Sequence, residues 1–120
     1  MLRTPKICGV ELTAPASQRS DLRKQLSDSG LDPCCISPGT KFCHEDPALR
    51  TADLDKLLRY TELAHDVGIR RIRVFGDPLP NTGAGRRAAN YQQQAELLAK
   101  AAESASAAGV RLVLETHMNF

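Results

Sequence analysis

Four short apolar segments alternate along the chain with three stretches that have the periodicity of amphipathic helices. The predicted strands cover about residues 7–12, 31–37, 69–76 and 110–117. Strands that alternate with amphipathic helices are typical of βαβ units, whose strands lie parallel in one sheet. The order therefore predicts an α/β fold, with residues 1–120 forming one domain that has no linker or low-complexity segment.

The first two helices are predicted from capping residues and apolar spacing. The first follows Ser17 or Ser20 as its N-cap. The second is expected from Thr51, its predicted N-cap, to about Val67, and Gly68 ends it. Its buried stripe is predicted to consist of Leu54, Leu57, Leu58, Thr61, Ala64 and Val67.

The third helix is predicted over about residues 88–107, where alanine supplies much of the helix propensity. Its expected inner face carries Tyr91, Ala95, Leu98 and Ala102. The preceding loop, NTGAGRR, has two arginines and a helix start that favour anions, but it lacks the spacing of a P-loop. A connecting loop is therefore preferred over a phosphate cradle.

Composition excludes several classes of protein. Lys plus Arg total 16 against 14 Asp plus Glu, and a net charge of +2 gives no footprint for nucleic acid or an anionic membrane. No apolar run approaches the roughly 20 residues of a membrane span, and the N-terminus has no apolar signal region. The sequence predicts a soluble cytoplasmic protein.

The four cysteines are interpreted as reduced thiols. Cys34 and Cys35 are adjacent, and the chain is longer than the small secreted domains that depend on disulfides. Together with Cys43 and His44 they have the spacing C-C-x7-C-H, which lacks the paired C-x2-C of zinc sites. A metal cluster is disfavoured there, and His65 is interpreted as a surface or boundary residue rather than a ligand.

Apolar and charged residues alternate in three of the predicted strands, so each has one aliphatic face and one face with charge. The aliphatic faces carry Val10, Leu12, Ile72, Val74, Leu112 and Leu114. The opposite faces carry Glu11, Arg71, Arg73, Phe75, Arg111, Val113 and Glu115. The aliphatic faces should pack under the helices.

The charged faces are expected to point into a barrel centre or into a crevice at the carboxyl ends of the strands, where α/β folds place their active sites. An exposed edge sheet with solvated charges is the alternative. Glu115 and His117 lie on the same side of the last strand, and both side-chain types bind divalent metals. The pair alone is weak evidence for a site.

The run LDKLLRYTELAHDVGIRRIRVFGD, followed by GVRLVLETH, resembles the sugar phosphate isomerase/epimerase family with the xylose isomerase-like TIM barrel. The upstream GVEL matches the family's second-strand pattern. The resemblance extends from about Ile7 to Phe120 and implies a partial (β/α)8 barrel with about four parallel strands.

The resemblance also implies roles for particular residues. Glu115 corresponds to a metal ligand at the end of the fifth barrel strand, and His117 to a catalytic or substrate-contacting neighbour. Glu11 and Arg73 correspond to polar lining or substrate contacts near the mouth of the barrel. The implied cofactor is a divalent cation (Mn²⁺, Zn²⁺, Mg²⁺ or Co²⁺), and the implied chemistry is proton transfer next to the carbonyl of a small sugar or polyol.

A full barrel takes about 250 residues, and the four predicted strands match the second to fifth of its eight. The Asp, His and second Glu that complete the family's metal site lie on later strands. We therefore expect a fragment of such an enzyme that is inactive alone. Two alternatives stay open: a non-catalytic half-barrel that needs a partner or self-associates through exposed sheet edges, and an abasic-site endonuclease of the same superfamily, which the weak charge disfavours.

Overall fold

The computed structural model of the chain describes residues 6–7, 10–76 and 84–116. Strands and helices alternate within these ranges as the α/β prediction requires. In chain order the elements are β1 (Lys6–Ile7), β2 (Val10–Glu11), α1 (Ala16–Asp28), α2 (Pro47–Val67), β3 (Arg71–Phe75), α3 (Ala84–Ala107) and β4 (Arg111–Glu115).

The parallel sheet is built on β3 and β4, which pair in register from Arg71 opposite Arg111 to Phe75 opposite Glu115. Both strands lie within the predicted ranges 69–76 and 110–117. The connection between them runs through α3, which makes β3-α3-β4 a βαβ unit. The carboxyl ends of both strands therefore lie at the same edge of the sheet.

Ile36 adds one parallel bridge to this sheet, beside Ile72. Its N–H donates to the Arg71 carbonyl at 3.0 Å, and its carbonyl accepts from the Arg73 N–H at 2.7 Å. The prediction of a strand over residues 31–37 was wrong in extent, because only Ile36 pairs. Pro33 has no N–H to donate to a sheet, which accounts for the short pairing.

The predicted strand over residues 7–12 is also corrected. β1 and β2 pair with each other in antiparallel orientation, with Ile7 opposite Val10. Only two residues separate the two strands along the chain, so they pair locally, without the long loop closure that a distant strand requires. About four parallel strands were predicted. The described residues contain two, β3 and β4, and Ile36 adds a single parallel bridge beside β3.

Helix α2 begins earlier than predicted. Asp46 is its N-cap and accepts a hydrogen bond from the Ala48 N–H at 2.8 Å, and Pro47 occupies the first turn. Thr51 lies inside the helix, where its hydroxyl donates to the Pro47 carbonyl at 3.1 Å. The Asp-Pro pair supplies both a capping carboxylate and a fixed φ, which explains why the helix starts there rather than at Thr51.

Two helix ends lead into the parallel strands by the same turn. Gly68 has φ +81° and Gly109 has φ +71°, in the left-handed region that glycine adopts without steric cost. The next residue then bonds back to its helix: Ile69 to the Ala64 carbonyl and Val110 to the Ala105 carbonyl, both at 2.8 Å. The turns set the direction in which β3 and β4 leave their helices.

Helices α1 and α3 also start earlier than predicted. Pro15 precedes α1 without a side-chain cap, so neither Ser17 nor Ser20 has the predicted role. Helix α3 is already formed at Ala84. Its buried residues are Gln94, Ala101 and Ala105, whereas the predicted Ala95 and Ala102 are exposed. An alanine-rich helix has little contrast between its faces, and the predicted face was displaced by about one residue.

The core lies between the helices and the aliphatic face of the sheet. Ile72 is fully buried and Val74 is 2% exposed, which confirms the predicted direction of β3. The α2 residues that pack into the same core are Leu57, Tyr60, Thr61, Leu63, Ala64 and Val67. In the described part of the chain, no helix has both the length and the apolar content to cross a membrane.

Candidate functional site

The opposite face of the sheet is called the open face below, and it carries Arg71, Arg73, Val113 and Glu115. In the part of the chain that the structure describes, no helix packs over this face. Val113 on this face is 42% exposed. A cavity of about 500 Å³, called the sheet cavity, lies against it. Its lining consists of Cys34, Cys35, Arg71, Arg73, Val113, Leu114, Glu115 and Thr116.

Arg73 and Glu115 form an ion pair across the two strands of the sheet cavity. The Arg73 Nε donates a hydrogen bond to the Glu115 Oε2, and the guanidinium lies 4.1 Å from the centroid of the Phe75 ring. The hydrogen bond that Arg73 donates to Glu115 raises the pKa of Arg73 above its ordinary value, against the opposing effect of burial. The cation is therefore held over an aromatic ring, and one oxygen of the carboxylate is fixed toward the neighbouring strand.

Two adjacent thiols complete the side of the cavity nearest Ile36. The Sγ atoms of Cys34 and Cys35 are 3.8 Å apart. Burial raises the pKa of the Cys35 thiol above its ordinary value, and neighbouring Cys34 raises it further. Neither of these two thiols is part of a disulfide in the structure.

A second cavity of about 390 Å³ lies between the loop before α2 and the first turns of α3. Arg86 of the NTGAGRR segment lines it, as do His44 and Arg50. Arg50 Nη1 donates to the His44 and Glu45 carbonyls at 2.6 and 2.9 Å, so this arginine supports the loop. The His44 Nε2 lies 2.8 Å from Asp53 Oδ2, a partner that sequence spacing did not indicate.

The predicted site residues fall into two groups. Glu115 and Arg73 are brought together in the sheet cavity, with Glu115 at the carboxyl end of β4 and Arg73 in the middle of β3. Glu11 is a residue of β2, but the structure does not describe its side chain. His117 lies outside the described residues. His65 is exposed at the end of α2, as predicted, and its Nδ1 lies 2.7 Å from the Ala108 carbonyl, beyond the last turn of α3.

The profile of the xylose isomerase-like TIM-barrel family matches residues 6–120, nearly the whole chain. The chain belongs to this family. The parallel βαβ unit and the polar face at the carboxyl ends of its strands agree with a segment of such a barrel. No curated protein sequence matches the chain.

Solved structures of the same barrel superpose on the chain. The structure of an L-ribulose 3-epimerase has 30% sequence identity and a TM-score of 0.66, and the match covers 79% of this chain and 33% of that one. A D-tagatose 3-epimerase-like protein has 13% identity and a TM-score of 0.72, with coverage of 87% and 40%. A D-psicose 3-epimerase, solved in the presence of D-fructose, has 19% identity and a TM-score of 0.68, with coverage of 84% and 37%. The chain thus spans about a third of the length of the first of these barrels and 40% of the second.

The described segment of the barrel does not by itself fit the divalent cation that the family implies. Among the described residues there is no cluster of three His, Cys, Asp or Glu side chains that would hold a metal ion. Glu115 presents a carboxylate to the sheet cavity, but Arg73 occupies one of its oxygens. A metal ion needs several ligands at once, so Glu115 contributes at most one of them.

Sequence reasoning missed the two cysteines as part of the barrel's inner surface. They were interpreted only as reduced thiols outside a metal cluster, because the spacing C-C-x7-C-H lacks the paired C-x2-C of zinc sites. The alternation was informative nevertheless: Ile36 is 2% exposed on the helix side, so Cys35, one residue earlier, points to the open face. The direction of Cys35 is thus indicated by the pairing of a single residue, Ile36, rather than by a whole strand.

Proposed function

We propose that the chain forms part of the barrel of a sugar epimerase or isomerase, in which Glu115 belongs to the site where a proton is transferred next to the carbonyl of a small sugar. The observation that carries the proposal is the position of the Arg73–Glu115 pair, which lines a cavity along two parallel strands, with Glu115 at the carboxyl end of β4. The 30% identity to an L-ribulose 3-epimerase supports a ketose as the class of substrate.

In this proposal Arg73 is a positioning residue for Glu115. Its guanidinium is held over Phe75 and donates a hydrogen bond to one carboxylate oxygen, which fixes the orientation of the carboxylate in the sheet cavity. Because only 15% of the Arg73 side chain is exposed, compared with 43% for Glu115, the carboxylate is the more accessible member of the pair. Glu11 and His117 remain proposed substrate contacts.

A divalent cation, when bound, would polarise the sugar carbonyl and stabilise the charge that develops on it. Glu115 is proposed as one ligand, and the other ligands would come from further strands of a complete barrel. With one proposed ligand among the described residues, the chain is expected to bind such a cation weakly and to be inactive alone. The predicted cytoplasmic location remains a prediction that accompanies this function.

Paramagnetic line broadening tests the ligand assignment, because it detects binding in the millimolar range. We expect Mn²⁺ to broaden the amide signals of residues 114–116 and of Phe75 selectively in the wild-type chain. Glu115→Gln should abolish this local effect, whereas Glu103→Gln, at an exposed position on α3, should preserve it. Equal broadening in wild type and Glu115→Gln would reject Glu115 as a ligand.

A chimera tests the catalytic part of the proposal. The matched segment of this chain would replace its counterpart in the L-ribulose 3-epimerase, which supplies the other two thirds of the barrel. We expect measurable epimerisation of a ketose by the chimera and at least about a 100-fold loss of kcat with Glu115→Gln, because the cation that would polarise the carbonyl loses a ligand. A folded chimera without activity would contradict the proposal.

Self-association is a second candidate function, favoured by the exposure of β4. Leu114 is 47% exposed and Val113 is 42% exposed, so neighbouring apolar residues of β4 are both accessible. In the described residues β4 has β3 as its one strand neighbour, so its other edge has no strand beside it there. Light scattering decides between the possibilities: a dimer at micromolar concentration supports pairing through this edge, and a stable monomer rejects it.

A further inference from the structure

Cys34 and Cys35 place two thiols in the sheet cavity, and neither the family match nor the proposed sugar chemistry gives them a role. Cys34 is exposed and Cys35 is half-buried, so both are accessible from the cavity. Their sulfur atoms are 3.8 Å apart. At this distance a single bridging atom can bond to both sulfurs after small rotations of the side chains.

The backbone next to the pair is fixed to the sheet. Ile36 bonds to β3 through both its N–H and its carbonyl, and its side chain is buried on the helix side. Since side chains alternate between the two faces of a sheet, Cys35 is directed to the open face, near Arg73. The orientation of the thiol toward the cavity therefore follows from the pairing of Ile36 with Ile72.

We propose that Cys34 and Cys35 form a vicinal dithiol site for soft, thiophilic electrophiles, and that trivalent arsenicals are the class of ligand it takes. With an organoarsenic(III) oxide, both S–H bonds break and two As–S bonds form. The two protons leave with the oxide oxygen as one water molecule. The step changes no oxidation state and needs no further reactant.

The chemistry of the lining favours an arsenical over a metal cation. Thiolates are soft ligands and select soft partners. A tetrahedral cation would need two more ligands, and the described residues contain no group of three His, Cys, Asp or Glu side chains able to hold a metal ion. A trivalent organoarsenical needs two thiolates only. The adduct would occupy the sheet cavity beside Arg73 and Glu115, and this inference stands whether or not the proposed sugar chemistry is correct.

Intact-mass measurement with phenylarsine oxide tests the site. We expect one phenylarsenic group per wild-type chain, with loss of two hydrogens, retained in excess monothiol and removed by 1,2-ethanedithiol. Two-point attachment exceeds single attachment by about 10²–10⁴-fold, so Cys34→Ser and Cys35→Ser should each weaken retention at least about 100-fold. Circular dichroism checks that both variants are folded.

The other two cysteines provide matched controls. Cys43 is half-buried and accepts a hydrogen bond from the Gln94 Nε2. Cys8 follows Ile7 in the sequence, far along the chain from Cys34 and Cys35. Cys43→Ser and Cys8→Ser are expected to retain the adduct. Loss of the adduct in either control, or its full retention in Cys34→Ser, would overturn the assignment.

Amide chemical shifts of the wild-type protein locate the adduct without any variant. We expect changes at Arg73, Val113 and Glu115 in the sheet cavity, and none at Arg86 or Asn90, which line the cavity beside α3. Shifts confined to Arg86 and Asn90 would show that the arsenical binds elsewhere and would refute the proposal.

Discussion

The two faces of the sheet differ in burial, and a pair of alanine substitutions measures the difference. Ile72→Ala tests the helix side, and Val113→Ala is its counterpart on the open face. Ile72 is fully buried under the helices, whereas Val113, on the open face, is 42% exposed. Loss of a buried isoleucine side chain, with the cavity it leaves, costs about 3 kcal/mol. Val113→Ala loses a half-exposed side chain and some β propensity, together about 1 kcal/mol.

The expected difference of about 2 kcal/mol corresponds to roughly 1 M in the midpoint of urea unfolding, at an m-value near 2 kcal/mol per M. Circular dichroism at 222 nm is the appropriate signal because the chain has no tryptophan. Ile72→Val, with an expected cost of about 1 kcal/mol, serves if the alanine variant does not fold. Equal costs for Ile72→Ala and Val113→Ala would refute an open inner face, and unfolding at two protein concentrations would then show whether self-association covers it.

Three further predictions concern the helices. Gly68→Ala should cost about 1–2 kcal/mol because φ is +81°, whereas Gly85→Ala, inside α3 with free space around the new Cβ, should stabilise by up to about 1 kcal/mol in urea unfolding. Asp46→Ala should cost about 1 kcal/mol through loss of the α2 cap, and Asp55→Ala, exposed on the same helix, less than about 0.5 kcal/mol by the same measurement. Burial raises the pKa of Tyr60, so the unfolded chain loses this proton first as the pH rises. Stability measured by thermal unfolding should therefore fall above about pH 10, and it should fall less steeply in Tyr60→Phe. Equal slopes of stability against pH in the two proteins would contradict this origin.

The elements with the strongest local signals were predictable from sequence. β3 and β4 combine β-branched residues with a preceding glycine turn, and their alternation correctly placed Ile72 and Val74 against the helices. The helix starts were less predictable because caps compete: Asp46 before Pro47 prevailed over Thr51. The hairpin pairing of Ile7 with Val10 was not predictable from apolar content, since the same residues suit either parallel or antiparallel pairing.

The candidate site shows where single-sequence reasoning stops. Alternation placed Arg73 and Glu115 on one face, but their pairing depends on the register of two strands separated by the whole of α3. With Arg73 opposite Val113, Glu115 is the diagonal neighbour, close enough for the long arginine side chain to reach. A shift of one residue in that register would send Glu115 to the helix side. The register is held by the burial of Ile72 and Val74 on the opposite face, so the polar site depends on the aliphatic core beneath it.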